Sequence, residues 1–251
     1  MVKAADKKTD LYGVLFKPYD FDPKKKYPVL DDIYNGPQRT QAPRRFTEVV
    51  WPQAIAQLGF IVFLVDGRGT TERGKEFQDV VYGNFGRNEI PDHVAALKNL
   101  AEKRPYMDLT RAGMFGGSWG GYMTIRAMLM APDDYKAGVA IAPVADLYDH
   151  NAIPIEYYMG LPQDNRESYE FGSSLRLAGN LKGNLLLIHG TSDVNATFSA
   201  TMKLVEALIR AGKPFDLIAA PELNHALSGS SGRYIQEALR KYFQKHLLSE
   251  K

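Results

Sequence analysis

The stretch at residues 114–122 reads MFGGSWGGY and places Ser118 between Gly116 and Gly120. The residues before it, 111–115, form a short apolar run typical of a strand, and residues 122–130 carry apolar side chains at helical spacing. A serine on a tight turn between a strand and a helix has a strained backbone, and side chains at the two flanking glycines would collide with the neighbouring strand and helix. Such a turn exposes the serine hydroxyl at the carboxyl edge of a sheet, beside the backbone N–H groups that begin the helix.

The rest of the chain alternates strands with helices. Apolar or alternating runs predict strands, an edge strand first, at residues 10–17, 29–34, 60–65, 111–115, 137–142, 185–188 and 215–220. Helical spacing predicts helices near residues 48–58, 88–103, 122–130, 197–210 and 233–247, and residues 143–180 are predicted to be irregular. This order predicts an α/β-hydrolase fold, which is a doubly wound, mostly parallel sheet with helices on both faces, in one domain over residues 1–251.

Composition narrows the function classes. The chain has 251 residues, 45% of them hydrophobic, a formal charge of +2 and no cysteine. The absence of cysteine excludes a disulfide scaffold, a thiolate metal site and a cysteine nucleophile. Scattered lysines give no reason to expect nucleic acid, and no histidine, aspartate or glutamate cluster has metal-ligand spacing, so we expect neither a metal nor a cofactor.

The sequence also contains information on membrane association and on the cellular compartment. No apolar run is long enough to cross a membrane, and no signal peptide opens the chain. We therefore expect no membrane partner. The compartment stays open: cytoplasmic by default, and secreted or periplasmic if Met1 is not the natural first residue.

Two residues complete a catalytic arrangement with Ser118. In this fold the order along the chain is serine, acid, histidine, with the acid after a late strand and the histidine after the last strand. Asp193 follows the strand that ends at Ile188, and His225 lies beyond the strand at 215–220. Ser118 is then the nucleophile, His225 the general base, and Asp193 the group that orients the imidazole.

Other histidines and acids are weaker candidates. His93 and His246 fall in predicted helices, where we expect surface or interface positions, and His189 is too near Asp193 in the chain to serve with it. Asp66 precedes the serine, and Asp216 lies within a strand, which indicates a structural role.

Four motifs together resemble the prolyl oligopeptidase family of serine peptidases, most closely its dipeptidyl peptidase IV branch. They are GSWGGY at 117–122, APV at 142–144, YMGLP at 158–162 and HGTSD at 189–193, and the resemblance extends over residues 11–247. It implies that the Tyr34 hydroxyl joins the backbone N–H of Trp119 in the oxyanion hole and that Asn195 binds a substrate carbonyl. It also implies a structural role for the loop at 66–69.

The chain departs from the family pattern in two ways. The family's catalytic domain normally follows a β-propeller that gates access, whereas this chain begins at the hydrolase domain. The family's specificity pocket is also altered, because three of its aromatic positions are occupied here by smaller or polar residues. The pocket residues that the resemblance implies are Trp119, Val144, Leu147, His150, Pro154 and Ala196, where Leu147, His150 and Pro154 replace aromatics and Ala196 replaces a larger aliphatic.

The sequence is compatible with three functions. The complete triad, the missing gate and the opened pocket favour a serine esterase for small acyl or aryl, feruloyl-type esters, acting through an acyl-enzyme. The alternative is a serine peptidase of the dipeptidyl peptidase or prolyl oligopeptidase type that acts on short peptides. A non-enzymatic binding module on a hydrolase scaffold is the third hypothesis. A homo-oligomer is a further hypothesis, since loss of a propeller would uncover apolar residues such as Phe46, Val49 and Trp51.

Overall fold

The strands form one eight-stranded sheet. The computed structural model describes residues 1–43, 45, 50–226 and 229–248. The strands are β1 (Val2–Lys3), β2 (Asp10–Phe16), β3 (Tyr27–Asp32), β4 (Ile61–Asp66), β5 (Met107–Gly117), β6 (Ala137–Ile141), β7 (Asn184–Gly190) and β8 (Asp216–Ala220). Their order across the sheet is β1-β2-β4-β3-β5-β6-β7-β8. Strands β3 to β8 are parallel, whereas β2 runs antiparallel to β4 and β1 antiparallel to β2.

Each parallel strand is followed along the chain by one or more helices. They are α1 (Trp51–Ala56), α2 (Lys75–Gln78), α3 (Glu89–Glu102), α4 (Trp119–Met130), α5 (Ala152–Met159), α6 (Arg166–Gly172), α7 (Phe198–Arg210) and α8 (Gly229–Phe243). Short 3₁₀ segments lie at Asp79–Val81, Leu147–Asp149 and Leu175–Asn180, and a π-helical turn, Gln244–Leu248, follows α8. This architecture is the α/β-hydrolase fold.

Strand β4 demonstrates how the sheet is buried on both faces. Ile61, Phe63 and Val65 pack into the cluster that contains α3, α4 and α7 residues. Val62 and Leu64 point the other way, into the cluster that contains α1 and α8 residues. Alternate side chains of a strand face opposite sides of a sheet, so a run that is apolar at every position needs a cover on each side. The sequence prediction of a doubly covered strand is confirmed.

Several boundaries differ from the sequence prediction. Residues 143–180 contain α5 and α6, and each helix is too short for its apolar spacing to stand out. Helix α4 begins at Trp119, directly after Ser118, and not at Tyr122. The sequence pattern does not show its first turn, because Gly120 and Gly121 carry no side chain that would reveal the helical period. Strand β2, predicted at an edge, is flanked by the two-residue β1 on its outer side.

Other predictions concern the ends of helices. The predicted helix start at Glu48 lies outside the described residues, as do Phe46 and Val49. Trp51 is half-buried at the start of α1. None of the helices in the described ranges has the length and apolar character needed to span a membrane.

Candidate active site

The turn that carries Ser118 is strained. Ser118 has φ 57° and ψ −117°, a backbone conformation that residues with side chains rarely adopt. A Cβ atom added at Gly116 would lie 2.3 Å from the Ile33 carbonyl oxygen, and one at Gly120 would lie 2.1 Å from the same atom. The requirement for glycine on both sides of the serine, predicted from the motif, is confirmed. The Ser118 N–H donates to the Ile141 carbonyl at 2.8 Å, which fixes the turn against β6.

An aspartate–histidine pair lies beside this turn. His225 Nδ1 is 2.7 Å from Asp193 Oδ2, and the Asp193 side chain is fully buried while His225 is 26% exposed. The other carboxylate oxygen, Oδ1, accepts from the N–H groups of Asn195 at 2.8 Å and Ala196 at 3.0 Å. A carboxylate only accepts, so Nδ1 of His225 carries a proton, and in the neutral ring this leaves the lone pair on Nε2.

Ser118 and His225 lie at the same cavity. Both residues border a cavity of about 300 Å³. The structure therefore brings the predicted nucleophile and base to the same opening, with Asp193 behind His225. This arrangement has the parts needed for general-base activation of a hydroxyl.

His189 lies on the far side of Asp193. Its Nε2 is 2.7 Å from the Ala196 carbonyl and 3.2 Å from Asp193 Oδ2, and its Nδ1 is 2.8 Å from the Thr201 hydroxyl. Nε2 must donate, because a carbonyl only accepts, so Nδ1 accepts from Thr201. Burial lowers the pKa of His189, which keeps the ring neutral. Its position in the chain does not prevent contact with Asp193, but both nitrogens are engaged inside the protein, and this excludes it as the base.

Tyr34 follows β3 at the same edge of the sheet. Its hydroxyl accepts a hydrogen bond of 2.6 Å from Gln38 Nε2, and the Arg39 guanidinium lies 4.2 Å from the ring centroid. Burial raises the pKa of Tyr34, against the lowering effects of Arg39 and of hydrogen bonds with Gln38 and Ser118. The phenol therefore stays protonated at neutral pH. Because Gln38 donates to the hydroxyl oxygen, this hydrogen bond does not use the hydroxyl proton.

The next residue, Asn35, holds in place the loop that follows β3 and contains Tyr34, which we call the Tyr34 loop. Asn35 is buried, and its φ of 48° lies in the left-handed region. Its Oδ1 accepts from the Gly67 N–H at 2.8 Å, and its Nδ2 donates to the Arg68 carbonyl at 3.3 Å. Arg68 in turn holds Asp92 with two side-chain hydrogen bonds, of 2.9 and 2.8 Å. The loop at 66–69 thereby connects the Tyr34 loop to α3.

His93 completes this anchor, and the expectation that it lies at a surface or interface is wrong. The ring is fully buried, with Nδ1 2.9 Å from Asp31 Oδ2 and Nε2 3.3 Å from Asn35 Oδ1. Both partners are acceptors, so the ring donates from both nitrogens and carries a positive charge. Burial by itself would lower the pKa of His93, but the charge and hydrogen bond of Asp31 raise it overall. Tyr135 donates to the same Asp31 oxygen at 3.1 Å.

A signal for His93 was present in the sequence. Ile90 precedes it by three residues and Leu97 follows it by four, which places all three on one face of α3. All three are buried. Gln38, Arg39 and Asn35 had no comparable signal, because their contacts depend on how the loop after β3 folds back.

The predicted pocket residues divide into buried ones and ones that reach solvent, and the buried ones come first. Trp119 is buried, with its ring centroid 4.6 Å from Phe85 and 4.9 Å from Tyr122. Leu147 packs so closely on α6 that a Cβ at Gly172 would lie 2.3 Å from its Cδ1. Val144 and Ala196 are also buried.

The remaining pocket candidates reach solvent. His150 is half-buried, and its pKa is lowered by burial and then by the nearby charge of His225, so the two imidazoles are neighbours. Pro154 and Asn195 are exposed. Among the described residues, no three histidine, aspartate or glutamate side chains are arranged to share a metal ion.

Comparisons with known proteins agree with this geometry. The profile of the prolyl oligopeptidase family matches residues 47–250. Human dipeptidyl peptidase 8 is 37% identical over 243 residues, which cover 94% of this chain and 27% of that protein, and the mouse protein matches equally well. The crystal structure of Porphyromonas gingivalis dipeptidyl peptidase 4 superposes with a TM-score of 0.93 at 36% identity, covering 98% of this chain and 35% of that one.

The chain thus spans only about a quarter to a third of the length of these relatives. Within that span, the match includes the Ser118 turn and the segments that carry Asp193 and His225. The chain belongs to the prolyl oligopeptidase family of serine hydrolases.

Proposed function

We propose that this domain is a serine peptidase that releases dipeptides from the amino ends of peptides through an acyl-enzyme intermediate. The observation that carries the proposal is that His225, hydrogen-bonded to Asp193, borders the same cavity as Ser118 in a chain similar to proteins named dipeptidyl peptidases. The relatives support this alternative better than the esterase that the opened pocket favoured. These relatives are named for dipeptidyl peptidase activity, and we extend that activity to this chain.

The first step is acylation. Nε2 of His225 takes the proton of Ser118 as the hydroxyl oxygen attacks the scissile carbonyl. Asp193, held by two backbone N–H groups, keeps the imidazole in the tautomer that can accept that proton and stabilises the charge that follows. His225 then gives the proton to the departing amine, and water repeats the sequence to release the acyl product.

The oxyanion of the tetrahedral intermediate needs donors. Helix α4 begins at Trp119, so its backbone N–H is one of the N–H groups that the helix itself does not use. The Tyr34 hydroxyl supplies the second donor, with Gln38 and Arg39 holding the ring and polarising the O–H group. Donors fixed before the reaction stabilise developing charge without having to reorganise.

A substrate panel tests the proposal. Dipeptidyl p-nitroanilides with a free amino end are compared with the same compounds blocked at that end and with p-nitrophenyl esters of acetate, butyrate and ferulic acid. We expect kcat/KM to be highest for the free dipeptidyl anilides and to be abolished in Ser118→Ala. Each kcat/KM is divided by the rate constant for hydrolysis of the same compound by hydroxide alone. If this ratio is higher for the esters than for the anilides, the esterase becomes the better-supported function.

Fluorophosphonate labelling separates both enzymes from a binding module. Wild-type protein is expected to be labelled at Ser118, while Ser118→Ala is not. A wild-type protein that resists labelling and hydrolyses no member of the panel would contradict the proposed function altogether.

A further inference from the structure

The residue before the nucleophile is a glycine that the backbone does not require. Gly117 ends strand β5, and a Cβ added there would approach one atom, the Ile141 carbonyl oxygen, at the ordinary contact distance of 3.8 Å. This differs from Gly116 and Gly120, where an added Cβ would come within 2.3 Å of main-chain atoms. Gly117 therefore leaves space beside Ser118 that a side chain could otherwise fill.

That space opens into the cavity of about 300 Å³ that Ser118 and His225 border. Helix α8 contributes Ile235 and Leu239 to its lining, and Trp51 lines it from the start of α1. These side chains are apolar, and Gln236 is a polar group in the same lining. The cavity is large enough for a branched aliphatic or aromatic side chain and is lined to bind one through apolar contact.

The position of the cavity identifies which part of a substrate it faces. None of the described residues that line it belongs to the predicted acyl pocket of Val144, Leu147, His150 and Pro154. It is bordered instead by His225 and Ala226, and His225 is the residue that delivers a proton to the departing group. A cavity next to the proton donor and apart from the acyl pocket lies on the side where the leaving group departs.

We propose that this cavity, which we call the leaving-group cavity, binds a large apolar side chain on the first residue of the departing peptide. The proposal rests on the proposed function, because it needs a substrate that Ser118 acylates. It predicts a preference that depends on the residue after the scissile bond and not on the residues before it. Each methylene group that moves from water into such a site improves kcat/KM about fourfold.

The test uses two peptide series that share the same free amino-terminal dipeptide. In one series the residue after the scissile bond is alanine, and in the other it is leucine or phenylalanine; cleavage is followed by mass spectrometry. For the wild-type protein we expect kcat/KM to be roughly 10- to 100-fold higher for leucine or phenylalanine than for alanine. Equal values for the two series would overturn the proposed role of the cavity while leaving the peptidase intact.

Two variants fill the cavity from two different elements, β5 and α8. Gly117→Leu adds a side chain beside Ser118, and Ile235→Phe enlarges one on α8. In both, the leucine-to-alanine ratio is expected to fall to about one. Glu237→Phe is the matched control, since Glu237 lies on the same helix with its side chain half-exposed, and it should keep the wild-type ratio. Melting temperatures establish that each variant is folded.

The two proposals fail differently. Cleavage with no preference, or a preference that both filled variants retain, refutes the leaving-group cavity alone. No cleavage of either series, together with no hydrolysis of dipeptidyl anilides, refutes the proposed function and the cavity's role with it. A filled variant that is unfolded is replaced by the other, because the two changes lie on separate elements.

Discussion

Two aspartate–histidine pairs lie along the same edge of the sheet and differ in what surrounds the imidazole. In the first, Asp31 and His93 are 2.9 Å apart, fully buried, and the second ring nitrogen is bound to Asn35. In the second, Asp193 and His225 are 2.7 Å apart, the carboxylate is buried, but the imidazole is 26% exposed and borders an open cavity. Both pairs place an imidazole Nδ1 against a carboxylate, so the difference between them lies at the other ring nitrogen, Nε2.

That difference separates a support from a reacting group. A histidine that donates from both nitrogens to fixed acceptors keeps both protons and positions the chain around it. His93 does this for the Tyr34 loop through Asn35. A histidine with one free nitrogen at a cavity can accept and return a proton. The two supporting carboxylates can therefore be exchanged for amides to test whether the roles are assigned correctly.

The largest expected effect is that of Asp193→Asn. The amide would favour the wrong tautomer of His225, and kcat should fall by roughly 10⁴ with the fold intact. Asp31→Asn is the matched change in the other pair, and it should lower the melting temperature while kcat of the folded protein stays within about tenfold. Steady-state kinetics with dipeptidyl anilides measures kcat of both variants, and thermal unfolding measures their melting temperatures. An Asp193→Asn protein with near wild-type kcat would contradict the role given to His225.

The next effect concerns the group that the buried pair supports. Tyr34→Phe removes one proposed oxyanion donor, so kcat should fall by roughly 10²–10³. KM should change little, because that hydrogen bond forms mainly in the transition state. Gln38→Ala should have a smaller effect in the same direction. A higher KM with unchanged kcat would instead assign Tyr34 to substrate binding.

A smaller effect on activity is expected for His93→Gln. The substitution leaves Asp31 buried without its charged partner and loosens Asn35, so kcat should fall about tenfold and the melting temperature by roughly 5–15 °C. His246→Gln, in the turn after α8, is the control and should change neither quantity by much.

The stability effect of His93 should depend on pH with a definite sign. The pKa of His93 is raised in the folded protein, so its stabilisation is complete below the unfolded value, near 6.5, and declines as the pH rises through the folded value. The difference in melting temperature between wild type and His93→Gln should therefore be largest in acid and shrink in alkali. A difference that grows with pH would mean that the ring is buried neutral.

The smallest expected effect is a gain in stability. Burial raises the pKa of Asp32 to about 7, opposed by a hydrogen bond from Gln41. The folded protein then binds a proton that the unfolded chain, with a pKa near 3.9, has already released, so stability falls as the pH rises from about 4 to 7. Asp32→Asn removes that dependence and should raise the melting temperature at pH 8 by about 5 °C.

A matched surface substitution controls that experiment. Asp20 is exposed, so Asp20→Asn should leave the pH profile of thermal unfolding as in the wild type. Calorimetry between pH 4 and 8 checks both variants. A gain for Asp32→Asn that is the same at pH 4 and pH 8 would show that the carboxyl group does not titrate in this range.

The sequence by itself determined the fold class and the nucleophile turn. A serine between glycines, after a strand and before a helix, allows few backbone paths, and both glycines prove sterically necessary. It also predicted that Asp193 and His225 follow late strands, and parallel strands bring their carboxyl ends to one edge. These features depend on local sterics and chain order, which a sequence states directly.

The tertiary structure decided the surroundings of those residues. His93 became a buried charged support only because β3 places Asp31 and Asn35 against α3, and His189 became a neutral neighbour of Asp193 because Ala196 and Thr201 bind its nitrogens. The cavity beside Gly117 is lined by residues of α8 and by Trp51, which are distant from Gly117 in the chain. Burial, protonation and cavities depend on groups that are distant in the chain, and their positions are fixed only when the elements pack.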